Sequence, residues 1–335
     1  MPDLIRSAEH TQLAPGLSEA DAERVLSYAE ADLSDQTKRN YAMQWRQFVR
    51  WADERGVEAL PATPGHVAAY LTERAPDRSV SWVGQAAAAI KKAHERRGLE
   101  SPTRSSGVER TLKGIRRIHG EPAQPKAAAR TIHIKAMVDA IKTPAPSADA
   151  GPAAVARYLR SIRNRAILLF GYAAALRRSE LAAACVEHVS FNEDGLEIRI
   201  PRSKGDQEGK GDTVGVAYGN GHCPVRALRA WMDAAGIEAG PIFRPVPRNA
   251  EVKKKPITGR TVRNVVRDAA EAAGLDYERF AGHSLRRGHI TEGALNGAPL
   301  ARLQQQARHA DPRTTAGYIE DAERMKTTTS RNLGL

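Results

Sequence analysis

The spacing of apolar side chains predicts a helical region near the start of the chain. Between residues 34 and 118, apolar positions recur every three or four residues in four separate stretches, as on the packed face of amphipathic helices. Ser34 precedes the first stretch and Pro64 stands in the first turn of the second, and both residue types favour helix starts. Ser79 or Ser81 is placed to cap the third. The four helices predict a compact bundle.

Residues 119–130 (HGEPAQPKAAAR) interrupt this pattern. Their two prolines break any helix, and the small side chains around them offer nothing to pack. We therefore predict a linker here. It separates a helical domain at 34–118 from a second domain at 131–335, and residues 1–33 form a leader ahead of both.

The second domain is predicted to be mainly helical with a small antiparallel sheet. Segments 196–201 and 213–218 alternate apolar and polar side chains, and three glycines lie between them, so they predict a β-hairpin with a long tip. The remaining stretches have helical spacing, at residues 131–142, 153–175, 178–184, 224–235, 261–273, 284–295 and 300–308, and again after Tyr318.

The charge balance favours a polyanionic partner. The chain has 335 residues, with 51 Lys and Arg against 39 Asp and Glu, a net charge of +12 and a pI near 9.9. Nucleic acid is the first candidate for that partner and an anionic membrane surface the second. The leader carries seven acidic and two basic side chains, so it is not expected to contact the polyanion.

Other classes of protein fit the sequence poorly. The longest apolar run, residues 166–176, is short of the roughly 20 residues that a membrane helix requires. The first residues lack the basic and apolar segments of a signal peptide, which predicts a cytoplasmic protein. The two cysteines, Cys185 and Cys223, lie far apart, so we expect neither a disulfide framework nor structural zinc.

If the polyanion is DNA, the sequence offers metal-free phosphodiester chemistry. Clusters of carboxylates that would hold metal ions, and glycine-rich phosphate loops, are absent from the sequence. The alternative uses Arg, His and Lys to stabilise the charged transition state and a side-chain hydroxyl as nucleophile.

Four motifs supply those groups. Arg177 follows a buried apolar helix, and Glu180 lies three residues later, where it can hold the guanidinium. His283 and Arg286 share one face at a helix start. The other two motifs are the pair His309 and Tyr318, nine residues apart across a proline, and Lys204, where the first hairpin strand meets its glycine-rich tip.

Taken in order, these residues resemble the Arg, Lys, His-x-x-Arg, His and Tyr set of the tyrosine recombinases, the phage-integrase-like site-specific recombinases. The contexts LRRSEL, HSLRRG and H-x8-Y match that family, and the helical bundle resembles its core-binding domain. The resemblance covers residues 34 to about 330. It departs from the family where Arg308 replaces a usual glycine, and where Ala174 and Ala175 replace Thr-Gly.

The resemblance implies a role for each residue. Tyr318 would attack the scissile phosphate, forming a 3′-phosphotyrosine and releasing a 5′-hydroxyl, while Arg177 and Arg286 would bind the non-bridging oxygens. His283 and His309 would hydrogen-bond the phosphoryl group and handle the tyrosine proton. Lys204 would protonate the leaving oxygen, with Lys210 and Arg202 as competing candidates.

The resemblance also implies partners. The partner would be double-stranded DNA, with four protomers joining two sites, with or without accessory proteins, and with no metal ion or cofactor. The segment 320–335 is a candidate for docking on a neighbouring protomer. Further basic residues are candidates for contacts with the DNA backbone: Arg178, Arg202, Arg287, Arg308, Lys91, Lys92, Arg116 and Arg117.

Two alternatives share this chemistry or this fold. A type IB topoisomerase-like enzyme would relax supercoiled DNA as a monomer. A catalytically silent relative would bind DNA without cutting it. The separate bundle domain argues against the first, and the complete set of catalytic residues argues against the second.

Overall fold

The structure, a computed structural model, describes residues 18–30, 33–121, 126–201 and 211–323, together with 328 and 330. The chain forms two compact units, Met1–Ala123 and Gln124–Leu335. The point of division lies within the segment 119–130 that the sequence analysis assigned to a linker. Lys204, Lys210 and Arg202 lie outside the described residues.

The described part of the first unit is helical, and short polar side chains begin most of its helices. Thr63, Ser79 and Ser105 each accept a hydrogen bond from a backbone N–H in the first turn that follows. Ser79, and not Ser81, is therefore the cap of its helix. The helices are α1 (Glu19–Glu30), α2 (Asp35–Asp53), α3 (Pro64–Arg74), α4 (Val80–Glu95) and α5 (Ser106–His119).

Aromatic rings fill the centre of this unit. Phe48 and Trp51 of α2 are buried and meet Tyr70 of α3 edge to face, with ring centroids 5.1 and 5.4 Å apart. Arg116 and Arg117 lie on the exposed face of α5, whereas Ile115 beside them is buried. The bundle thus turns its apolar stripe inward and leaves basic side chains in solvent.

The second unit surrounds one long central helix. Ile167, Leu168 and Phe170 of this helix are completely buried. The helices of the unit are α6 (Thr131–Ala140), α7 (Pro152–Ala173), α8 (Arg178–Ala182), α9 (Pro224–Ala234), α10 (Gly259–Ala272), α11 (Gly282–Leu295), α12 (Leu300–Ala307) and α13 (Pro312–Glu323), and α7 is the central one.

A three-stranded antiparallel sheet completes the unit, in the order β1 (Val189–Phe191), β2 (Gly195–Ile200) and β3 (Asp212–Ala217). Leu196 pairs with Val216, and Ile198 with Val214, so the apolar side chains of the hairpin share its buried face. The sequence predicted β2 and β3. It missed β1, because three residues are too few to show alternation.

The predicted fold class is confirmed: the described residues form a mainly helical protein with one small antiparallel sheet. One expectation about the fold was wrong. The sequence placed the last helical stretch after Tyr318, but α13 begins at Pro312, so this tyrosine lies in the middle of the helix.

Within the described residues, none of the helices is both long and apolar enough to cross a membrane.

Candidate active site

Arg177 is held at the junction between α7 and α8. Its backbone N–H donates to Glu180 Oε2 at 2.7 Å, and its Nη1 donates to Glu180 Oε1 at 2.7 Å. The carboxylate thus caps α8 and orients the guanidinium at the same time. The turn ahead of it passes through Ala175, whose φ of 48° is left-handed and rare for a residue with a side chain.

A second arginine reaches the same carboxylate from α12. Arg308 Nη2 donates to Glu180 Oε2 at 2.6 Å, and Arg177 Nη2 donates to the Arg308 backbone carbonyl at 3.0 Å. The side chain of Arg308 is only 3% exposed. The prediction that Arg308 contacts DNA is therefore wrong for this structure, because its guanidinium lies in the interior against Glu180.

Helix α11 contributes two predicted residues from its first turns. Arg286 is buried, and it donates from Nη1 to the Ala175 carbonyl at 2.9 Å and from Nε to His309 Nε2 at 3.3 Å. Its Nη2 is buried without a hydrogen-bond partner among the described residues. His283 lies one turn earlier on the same face.

His309 is oriented from both sides of its ring. Its Nε2 accepts the hydrogen bond from Arg286, so in the neutral ring the proton is on Nδ1, which contacts Thr315 Oγ1 at 2.8 Å. Thr315 is completely buried in the first turn of α13. The sequence gives no sign of this role, since nothing in its pattern distinguishes Thr315 from the neighbouring Thr314.

The hydroxyl of Tyr318 faces the histidines. It lies 3.1 Å from His283 Nε2, and its ring centroid is 6.0 Å from that of His309. The guanidinium of Arg287 covers the tyrosine ring at 5.4 Å, a distance that allows a cation–π contact. Tyr318 thus contacts His283 through its hydroxyl, and His309 and Arg287 through its ring.

Burial and the positive charges of the cluster shift its pKa values. Partial burial and then Arg286 lower the pKa of His283, and the same causes lower the pKa of His309 to about 4. Both rings are therefore neutral near pH 7. Burial lowers the pKa of Arg286 to about 9, which leaves it protonated.

Glu180 carries the negative charge of the cluster. Burial alone would raise its pKa, but the charge of Arg308 and the hydrogen bonds from Arg177 outweigh burial and hold the pKa below its ordinary value. The carboxylate is therefore ionised at neutral pH. With three arginines around one carboxylate, the cluster keeps a net positive charge, which suits an anionic substrate.

The other predicted residues occupy varied positions. Arg178 is exposed beside the cluster, and its side chain lies along Gly259 and Gly282. Arg287 is half-buried over Tyr318. Lys91 and Lys92 are half-buried on α4 of the first unit. Among the described residues, no group of three or more His, Cys, Asp or Glu side chains is arranged to hold a metal ion.

Comparison with known proteins places this cluster in a family. The pattern that defines the Phage integrase family matches residues 153–325, which contain every predicted catalytic residue. The chain is 31% identical over 302 residues to the Integrase/recombinase xerD homolog of Selenomonas ruminantium, which covers 89% of this chain and 85% of that protein.

Solved structures agree in fold. A XerH site-specific recombinase bound to a palindromic difH substrate, in a post-cleavage complex, matches with a TM-score of 0.63 at 16% identity, over 92% of this chain and 83% of the other. A lambda integrase dimer bound to a COC′ core site matches with a TM-score of 0.58 at 15% identity, over 90% and 76%. The resemblance found in the sequence is confirmed, and the chain belongs to the phage integrase family of tyrosine recombinases.

Proposed function

We propose that this chain is a site-specific DNA recombinase that cuts and rejoins duplex DNA through a 3′-phosphotyrosine at Tyr318. One observation carries the proposal. The Tyr318 hydroxyl lies 3.1 Å from a neutral His283, within a cluster of arginines that has a net positive charge. A nucleophile, a base and cations for a phosphate thus occur together.

The first step transfers the phosphate from DNA to the enzyme. Tyr318 Oη attacks phosphorus, the bond from phosphorus to the 5′ oxygen breaks, and the phosphate stays attached to the 3′ side. A neutral His283 with its proton on Nδ1 presents a lone pair at Nε2 to accept the tyrosine proton. The lowered pKa of His283 keeps this lone pair available at neutral pH.

The arginines stabilise the charge that develops on the phosphoryl oxygens. Arg286 Nη2 is a buried donor that lacks a partner among the described residues, a costly arrangement that an incoming phosphate oxygen would relieve. Arg177 presents its guanidinium from the end of α7. Such fixed donors need not reorganise during the reaction, and removing one typically lowers the rate by about 10²- to 10³-fold.

The 5′ oxygen that departs in this first step takes up a proton, which we assign to Lys204, as the resemblance to the family implies. The second half of the reaction reverses the first. A 5′-hydroxyl from the partner DNA attacks the phosphotyrosine, restores a phosphodiester and releases the Tyr318 hydroxyl. Because one phosphate ester replaces another of similar energy, rejoining needs no ATP. The cations of the scheme are side chains, so it uses neither a metal ion nor a cofactor.

The remaining predictions extend this scheme to the whole chain. We assign residues 131–335 to catalysis and the bundle at 34–118 to DNA binding, where the exposed Arg116 and Arg117 would contact phosphates. Exchange between two sites requires four active tyrosines, one for each strand that is cut, which is the basis for proposing a tetramer. Because the proposed substrate is DNA, we also propose that the protein is located in the cytoplasm.

The test is covalent capture of DNA. Wild-type protein and Tyr318→Phe are incubated with labelled, nicked duplex fragments that tile the DNA around the gene, and the products are separated under denaturing conditions. The nick lets the short strand that carries the released 5′-hydroxyl diffuse away, so that cleavage cannot reverse. A protein–DNA adduct formed by the wild type and not by Tyr318→Phe is the expected result.

Other outcomes favour the alternatives. Binding without any adduct would support a silent DNA-binding protein. Adducts on every fragment, together with relaxation of supercoiled plasmid, would support a topoisomerase-like activity. An adduct on one fragment, with exchange between two copies of it, supports the recombinase and locates its site.

A further inference from the structure

Arg308 occupies a backbone conformation that few residues with side chains adopt. It follows the last residue of α12, and its φ of 55° and ψ of 50° are left-handed. Glycine is the usual residue at such helix ends because it lacks the Cβ that clashes there. An arginine in this position has to be stabilised by what its side chain contacts.

The side chain of Arg308 contacts the active-site cluster and the end of its own helix. Arg308 donates from Nη2 to Glu180 Oε2 at 2.6 Å and from Nη1 to the Gln306 carbonyl at 2.9 Å. Glu180 binds Arg177 through its other oxygen, and Arg177 in turn donates to the Arg308 carbonyl at 3.0 Å. The three residues therefore form a closed ring, with Glu180 only 5% exposed.

We propose that Arg308 is a positioning residue for Arg177, and that its guanidinium fixes Glu180 so that this carboxylate holds Arg177 toward the scissile phosphate. The inference rests on the proposed function. It goes further by giving a role to the residue at which this chain departs from the usual glycine of its family.

The electrostatics support the same role. One carboxylate between two guanidinium groups leaves a positive charge, so Glu180 can orient Arg177 without cancelling its attraction for phosphate. With glycine at position 308, the carboxylate would keep a direct ion pair with Arg177 alone and would neutralise more of its charge. A direct contact between Arg308 and DNA does not fit, because its side chain is 3% exposed.

The primary variant is Arg308→Gly, since glycine accepts the left-handed backbone and preserves the carbonyl that Arg177 uses. We expect single-turnover cleavage at saturating nicked DNA to slow by about tenfold, less than the loss of a whole donor. The affinity for DNA should stay within about twofold. Arg308→Lys keeps the charge without the planar fork and should recover part of the rate.

A double-mutant cycle distinguishes positioning from a merely structural role. The same substitution is made in an Arg177→Ala variant, whose cleavage is followed over long incubations. There, adding Arg308→Gly should slow cleavage by less than about twofold, because the Arg177 side chain that Arg308 positions is already absent. Arg302→Ala is the matched control, since it removes one exposed positive charge from the same helix. It should cleave at the wild-type rate.

The possible outcomes distinguish a failure of this inference from a failure of the proposed function. No adduct with wild-type protein would refute the proposed function itself. With a normal wild-type adduct, unchanged cleavage by Arg308→Gly would overturn the inference, and so would an equal loss in the Arg177→Ala background. Weaker DNA binding with a normal rate at saturation would show a DNA contact instead. If Arg308→Gly does not fold, the same comparisons apply to Arg308→Lys.

Discussion

Replacing Gly288 by alanine tests how closely α11, the helix that carries His283 and Arg286, packs against its neighbours. Gly288 lies on α11, two residues after Arg286, and a Cβ built there would be 2.0 Å from the Ala129 carbonyl oxygen and 2.5 Å from its carbon. Ordinary contact begins near 3.4 Å, so the backbone of Ala129 has to retreat by about 1.4 Å. That displacement would lengthen the hydrogen bond from the Ala129 N–H to the Ser284 carbonyl, whose N···O distance is 2.9 Å.

The expected cost combines three effects. Overpacking typically lowers the free energy of unfolding by about 1–3 kcal/mol, and the weakened hydrogen bond lowers it by about 0.5–1.5 kcal/mol. Alanine in place of glycine within a helix raises it by about 1 kcal/mol. We expect the free energy of unfolding to fall by about 1–3 kcal/mol. Cleavage should slow as well, because Arg286 moves with α11.

Urea unfolding followed by circular dichroism measures this difference. Gly317→Ala is the matched control, because Gly317 lies within α13 and a Cβ there meets nothing within 4 Å. The control should be at least as stable as the wild type. If Gly288→Ala were also as stable as the wild type, the close contact between α11 and Ala129 would be refuted.

Three further predictions concern the charged cluster. Glu180→Gln leaves the two arginines beside it uncompensated and should lower the free energy of unfolding by about 3–5 kcal/mol at pH 7. Because its pKa is lowered in the folded protein, the difference from wild type should shrink in urea titrations below about pH 4. His283 acts in its neutral form and its pKa is lowered from 6.5, so single-turnover cleavage should fall only below about pH 6.5, and a decline that begins above pH 7 would contradict its role. Thr315→Val removes the partner of His309 Nδ1 at a cost of about 1–3 kcal/mol, which should slow cleavage by roughly 5- to 160-fold, whereas Thr315→Ser should stay close to wild type.

The sequence predicted most of the helices because their signals are local. Ser34 and Pro64 begin helices where the pattern indicated, and the hairpin strands pair with their apolar side chains on one face. Position 318 shows the limit of this reasoning. The polar first turn of α13 hides its apolar periodicity, so only the structure shows that the tyrosine lies within a helix.

The candidate site was less predictable, because its contacts join residues that are distant in the chain. The ion pair between Arg308 and Glu180 spans 128 positions, and no spacing rule connects them. For the same reason, the sequence makes Arg308 a candidate for a DNA contact and gives no sign of its ion pair with Glu180. The Ala175 carbonyl, which accepts from Arg286, is a backbone group that the sequence letters do not reveal.

Peptide mapping of the covalent adduct shows directly whether Tyr318 is the nucleophile. Trypsin releases Tyr318 in the peptide 314–324, where it is the sole tyrosine, so mass spectrometry after nuclease digestion can identify the attachment. We expect a nucleotide joined through its 3′-phosphate to this peptide, with the fragment ions placing it on Tyr318. DNA cleavage that leaves peptide 314–324 unmodified, or that modifies another residue, would contradict this expectation.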